Sequence, residues 1–225
     1  MLEMKHTKQV ELSDRVRFKC KRCGECCRHL AGALLVEPYD AYRIAKHLGV
    51  GLDEFYEKYT TMDRLPETLY PIFIMNTVGE KDSCIFLKGN RCSIQEAKPK
   101  TCRLYPFWVY PSDKPDEFFS YNLSYERSHH PKGTLIRVKD WMQKYFTHED
   151  RICMKQESRA VNEFAKLLKT ITNLNVKESV QVRVMFLISH YRYYAFDLDK
   201  SFLEQQFHND CQLIEELRKI IKSLE

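Results

Sequence analysis

Cys20, Cys23, Cys26 and Cys27 stand in the eight-residue run CKRCGECC, and Cys84, Cys92 and Cys102 follow, so seven of the nine cysteines lie in the first half of the chain. No other feature constrains the fold as much. In a C-x2-C interval a tight turn lets two thiolates converge on one ion, and a third at the same interval continues around the same centre. Cysteines that merely fill a core would not repeat at this spacing. Side chains of adjacent residues usually diverge, so Cys26 and Cys27 are expected either to serve two metals or to divide, one a ligand and the other packed. Seven thiols with one histidine would make two four-ligand zinc sites. Alternatively, Cys20, Cys23 and Cys26 carry the intervals of the first three ligands of a bacterial ferredoxin run. The fourth cysteine and its proline are missing there, so a remote cysteine would complete a 4Fe–4S cubane. Thiolate softness suits both metals.

The chain of 225 residues is 44% hydrophobic and 30% charged, a globular balance with ample length for a core. Its formal charge of +5 is mild; a protein partner or protein substrate fits such a surface, and nucleic acid is not favoured. The first residues carry no apolar signal segment, and the longest apolar stretches are far short of a membrane span. A cytoplasmic location is therefore expected. Thiols stay reduced there, which favours metal ligation over disulfides.

Pro38 at a first helical turn, Tyr42, Ile44, Ala45 and Leu48 at helical spacing, and Gly49 as a stop predict a helix; residues 52–60 predict a second. Between 70 and 94 the chain alternates β-type runs with turns, and Gly89-Asn90 predicts a hairpin that would bring Cys84 towards Cys92. Cys102 is expected in a loop bracketed by Pro99 and Pro106, and the polar stretch 111–133 is expected to be a linking loop. Beyond it the pattern is helical. Val161, Phe164, Leu167, Leu168 and Ile171 predict one buried face, residues 177–196 an apolar helix. A Ser201–Glu204 capping box precedes a stripe of Phe207, Cys211, Ile214, Leu217 and Ile221. The expected architecture is thus α+β. An N-terminal extension (1–16) leads into a small cysteine-rich metal-binding domain with short helices and a β-hairpin (17–133), and a helical C-terminal domain (134–225) follows.

Three blocks in order, FKCKRCGECCRHLAGALLVEPYDAYRIAKHLGV, then CIFLKGNRC, then KPKTCRLYPF, give the chain a family likeness. It resembles the YkgJ-type cysteine-cluster family, whose CxxCxxCC domain is described as a candidate zinc- or iron-chelating domain. The likeness covers about residues 17–110. It implies metal ligation by Cys20, Cys23, Cys26, Cys27, Cys84, Cys92 and Cys102, with His129 or His130 as an eighth ligand. Flagellin lysine N-methylases carry a similar cluster, which implies an iron–sulfur centre working with S-adenosylmethionine. This chain has no radical C-x3-C-x2-C run and no Gly-rich nucleotide loop, so a methylase is the alternative and not the favoured function; a metal-delivery protein is another. The favoured cofactor is a 4Fe–4S cluster, with Zn2+ as the alternative and S-adenosylmethionine only for a methylase.

The remaining candidates have ordinary explanations. Cys211 lies on an apolar stripe, where a buried free thiol is expected, and Cys153, near His148, falls outside the three blocks; neither is expected to be a ligand. His47 and His190 read as packing or capping residues. Tyr191, Tyr193 and Tyr194 read as helix packing, Trp108 as a shield over the cluster, and Lys19 and Lys21 as surface charges. Arg103, directly after Cys102, is expected to support the metal site.

Overall fold

A computed structural model of the chain describes residues 7–65, 68–112, 117–124 and 133–224. Helices α1 (Pro38–Leu48), α2 (Leu52–Tyr59), α3 (Lys100–Leu104), α4 (Val138–Tyr145), α5 (His148–Asn173), α6 (Glu178–Ser189) and α7 (Phe202–Leu224) carry most of the regular structure. The strands are short: β1 (Thr7–Val10), β2 (Arg15–Phe18), β3 (Thr60–Arg64), β4 (Pro71–Met75), β5 (Thr77–Val78) and β6 (Ser83–Cys84) in the first part. They are followed by β7 (Leu87–Lys88), β8 (Arg91–Cys92), β9 (Phe107–Pro111), β10 (Phe119–Ser124) and β11 (Thr134–Arg137). The architecture is α+β, with small antiparallel sheets and a helical C-terminal region. Among the described residues no helix is long and apolar enough to cross a membrane.

Contacts divide the chain into two compact units, each made of two separate stretches: Met1–Arg28 with Phe86–Lys155, and His29–Ile85 with Gln156–Glu225. In the first unit a three-stranded antiparallel sheet has the order β1-β10-β9, with Tyr121 opposite both Val10 and Val109. One face of this sheet packs Val10, Phe107, Val109, Tyr121 and Leu123 against Val138, Met142 and Phe146 of the α4 region. The central strand comes from the polar stretch expected to be a linking loop. The reason is local: FFSYNLS alternates in the period of a strand, and Phe119, Tyr121 and Leu123 face the core.

In the second unit α1 follows its sequence signals. Pro38 occupies the first turn, and Gly49, at φ 68°, donates its N–H to the carbonyls of Ala45 and Lys46. Tyr56, Phe73 and Tyr193 pack together, with ring centroids 4.4 Å apart for Tyr56–Phe73 and 4.7 Å for Phe73–Tyr193. Phe164, Leu168 and Ile171 of α5 meet Val184 and Ile188 of α6 and Leu213, Leu217 and Ile220 of α7. Val161, expected on the α5 face, is 37% exposed, and Ala160 is buried in its place.

The α7 stripe also differs from expectation. Phe207 is 63% exposed and Cys211 is exposed, whereas Gln206, Asn209, Asp210, Leu213, Leu217 and Ile220 face inward. The cause is Arg192, buried in a π-helical turn over His190–Tyr194. Its guanidinium bonds to Glu157 of α5 and to Asp210 of α7, and its Nε donates to the Tyr70 hydroxyl at 3.3 Å. Burial alone would push this guanidinium down, but Glu157, Tyr70 and Asp210 together hold it above its ordinary range. Asp210 moves the other way: burial outweighs the pull of Arg192 and raises its carboxyl to about 6, with Glu157 adding to the rise. Two carboxylates share one buried cation, so one of them holds its charge at a cost.

Candidate metal centre

The four-cysteine run forms no strand or regular helix until a 3-10 turn at Glu25–Cys27. Gly24 makes the entry possible. It sits at φ 71°, and a Cβ there would lie 2.7 Å from Arg28 Nη1 and 3.3 Å from Asn90 Cα, so a side chain meets both backbone strain and a clash. The Cys27 N–H then donates to the Gly24 carbonyl at 3.0 Å, closing the turn. It brings the sulfurs of Cys26 and Cys27 to 3.8 Å. Adjacent cysteines were expected to point apart; the tight turn makes them neighbours instead. With metal–sulfur bonds of about 2.3 Å, the edge of a tetrahedron of thiolates is also about 3.8 Å. The pair therefore fits two ligands of one tetrahedral ion.

Arg28 locks this turn to the next motif block. Nη1 donates to the Cys23 carbonyl at 2.9 Å, and Nη2 donates to the Gly89 carbonyl at 3.2 Å and to Asn90 Oδ1 at 2.7 Å. Gly89-Asn90 does turn a hairpin, but its register sets Leu87, not Cys84, opposite Cys92. Cys84 lies in the other unit, buried on β6 opposite Thr77. That register would set Cys84 opposite Gln95 however far the ladder ran, so this hairpin does not pair Cys84 with Cys92. Burial pushes the Cys92 thiol up; the Ile94 N–H and Lys98 pull it back, and the neighbouring Cys26 adds to the rise. Cys26 and Cys92 thus share one electrostatic environment, and a cation between thiolates would relieve it.

Cys102 is on α3 and not in a loop. Pro99, at φ −50° before the first helical residue, presets the helix direction, and the Arg103 N–H closes on its carbonyl at 2.9 Å. The Arg103 side chain holds the helix in place: Nε donates to the Lys98 carbonyl at 3.0 Å, Nη1 to the Tyr145 carbonyl at 3.0 Å, and the fork grips Asp150 at 2.8 and 2.9 Å. Asp150 also accepts the Thr147 N–H at the start of α5. Burial would raise its carboxyl, but Arg103 and these bonds hold it below the usual range. Arg103 therefore ties the cysteine-bearing helix to α4 and α5. Cys153 lies one turn beyond Asp150 on the same side of α5 and is buried. Sequence spacing offered no hint of that; the Arg103–Asp150 clamp is what brings α5 to Cys102.

Cys20 and Cys211 are exposed, Cys23 half-buried. Lys19 and Lys21 are exposed, as expected of surface charges. Among the described residues no three Cys, His, Asp or Glu side chains stand together as a ready-made metal cage, and His129 and His130 lie outside the described residues. Trp108 is half-buried on β9 opposite Asn122.

An α+β chain with thiols gathered on a glycine-dependent turn has the form of a cysteine-ligated metal protein. Residues 19–160 match the profile of the CxxCxxCC family, whose description is "Putative zinc- or iron-chelating domain". The chain belongs to this family. It is 30% identical over 100 residues to an uncharacterized protein of Methanocaldococcus jannaschii, across 42% of this chain and 47% of that protein. It spans about half the length of that relative. No solved structure matches the chain.

Proposed function

We propose that the chain is a thiolate metal-binding protein in which Cys26 and Cys27 chelate one tetrahedral zinc or iron ion. Two of Cys20, Cys23, Cys84, Cys92 and Cys102 complete its four thiolates and the other three serve a second site, with residues 17–133 as the main metal-binding part. The observation that carries this reading is the 3.8 Å separation of the Cys26 and Cys27 sulfurs. The thiols fit such an ion in softness as well as spacing, and a bound ion would supply the cross-link that the irregular run lacks. The electrostatic coupling of Cys92 to Cys26 supports including the hairpin thiol.

Cys153, outside residues 17–133 and not expected from the sequence to be a ligand, is proposed here as an eighth thiolate because it is buried in the same unit as Cys92 and Cys102. Cys153→Ala is expected to lower metal stoichiometry measured by elemental analysis, while Cys211→Ala leaves it unchanged. Equal metal content in both variants would remove Cys153 from the set.

A 4Fe–4S cluster is the second reading, favoured by the ferredoxin-like intervals of Cys20, Cys23 and Cys26. Redox or S-adenosylmethionine-dependent methyl-transfer chemistry belongs to that reading alone. The two are separated by the ultraviolet–visible spectrum of protein purified without oxygen, with iron, zinc and sulfide quantified. A tetrahedral ion without acid-labile sulfide is expected: colourless if zinc, which is d10. Stoichiometric sulfide, with broad absorption near about 400 nm that bleaches on reduction, would replace the single-ion reading with the cluster. The exposure of Cys20 also suits exchange of the ion with a protein partner, as a metal-delivery protein requires.

A further inference from the structure

The ladder of β2 and β11 sets Arg15 directly opposite Arg137 and Arg17 opposite Leu135. Opposite residues share a face, with Cβ atoms about 4.5–5.5 Å apart. Val16 and Ile136, also opposite each other, pack against the core of the unit. The outward face therefore carries Arg15, Arg17, Arg137 and Leu135, all exposed, with Leu135 53% exposed. Among the described residues none of these three guanidinium groups has an ion-pair or hydrogen-bond partner. Asp14, the acid next in sequence, spends Oδ2 on the Glu11 N–H at 2.9 Å.

Like charges directly opposite each other destabilise a strand pair, yet the strands cannot slip to separate them. At one end a Cβ on Gly133 would lie 2.3 Å from the Phe18 carbonyl carbon, so the two backbones touch there. At the other, the Val138 N–H donates to the Asp14 carbonyl and the Lys139 N–H to the Leu12 carbonyl, each at 3.0 Å. The unit is also the basic one: Lys and Arg outnumber Asp and Glu in it, and the reverse holds in the other unit. Among the described residues this locked arginine pair and the third arginine beside it have no counter-charge, and a bound anion would relieve their repulsion.

We infer that the Arg15–Arg17–Arg137 face binds a phosphoryl dianion. A carboxylate carries one charge and offers two oxygens, enough for one guanidinium fork; three forks on one face call for two charges and at least three oxygens, which a phosphate or phosphate monoester supplies. Leu135 gives the organic part of a monoester an apolar contact.

The test uses the metal-loaded full-length protein in thermal melts, at matched ionic strength, in sodium chloride, inorganic phosphate, a phosphoserine peptide and its unphosphorylated form. At roughly a hundredfold the dissociation constant the wild type is expected to melt about 5 °C higher with a phosphoryl ligand. Arg137→Gln and Arg15→Gln should lose that response and melt above wild type in chloride, because the opposed charges are gone. A stronger response to the phosphopeptide than to free phosphate assigns the group to a phosphorylated protein; an equal one assigns it to the free anion. Equal stabilisation of wild type and variants by phosphate would mark general salt exclusion and overturn the inference. So would the absence of a shift with either ligand, or variants that melt below wild type in chloride.

Discussion

Stripping the metal with a chelator, or replacing Cys23 or Cys84 by serine, is expected to remove bound metal and cooperative unfolding together. Between Phe18 and Leu34 only Gly24 is buried. That stretch has no apolar anchor of its own, and its order rests on the 3-10 turn, the Arg28 bonds and the backbone bonds of His29 to Lys81 and Leu30 to Asp82. Structural zinc contributes about 10–16 kcal/mol in small domains, comparable with the whole stability of a domain, about 5–15 kcal/mol. Losing one thiolate should therefore be felt far beyond one side chain. Elemental analysis and circular-dichroism melts on the same samples check this. A native-like melt from metal-free protein would refute it.

Arg192→Met should destabilise the protein by about 3–5 kcal/mol, because it leaves Glu157 and Asp210 facing each other without their cation. Asp210 already titrates high, at about 6, so in the variant one acid would take up a proton, which keeps the loss within that range. In a chain of this size the melting temperature should fall by about 10 °C. Glu157→Gln, at a site with 31% side-chain exposure, should cost less. Adding Asp210→Leu to Arg192→Met should recover part of the loss, since it removes the more buried acid and leaves only the part-exposed Glu157 without its cation. Denaturant titrations read all three, and an Arg192→Met protein within about 1 kcal/mol of wild type would show the cluster to be solvated instead of buried.

Local signals were readable wherever the chain's own backbone decides the outcome. Pro38 and Gly49 bound α1, residues 52–59 form α2, and Gly89-Asn90 turns a hairpin. Signals failed where a distant partner decides. The apolar residues of α7 suggested a stripe through Phe207 and Cys211, but Arg192 needs Asp210, which rotates the helix so that Gln206, Asn209 and Asp210 face inward. Spacing marked the cysteines as candidates for ligation, yet it could not show that a 3-10 turn would bring Cys26 and Cys27 side by side. Nor could it show that Arg28 would bind the hairpin and Arg103 would reach Asp150. The Arg28 and Arg103 contacts join residues 62 and 47 positions apart, and no periodicity encodes them.

The first compact unit joins Met1–Arg28 to Phe86–Lys155, and this has a consequence during synthesis. The cysteine run leaves the ribosome well before the segment that packs with it exists. At about 5–20 residues per second, the nascent thiols of Cys20, Cys23, Cys26 and Cys27 stay unsheltered for on the order of ten seconds. In that interval they are open to oxidants and to any soft cation in the surrounding fluid. The fidelity of metal loading is therefore a matter of timing as well as affinity: the ion captured first need not be the one the finished protein would select.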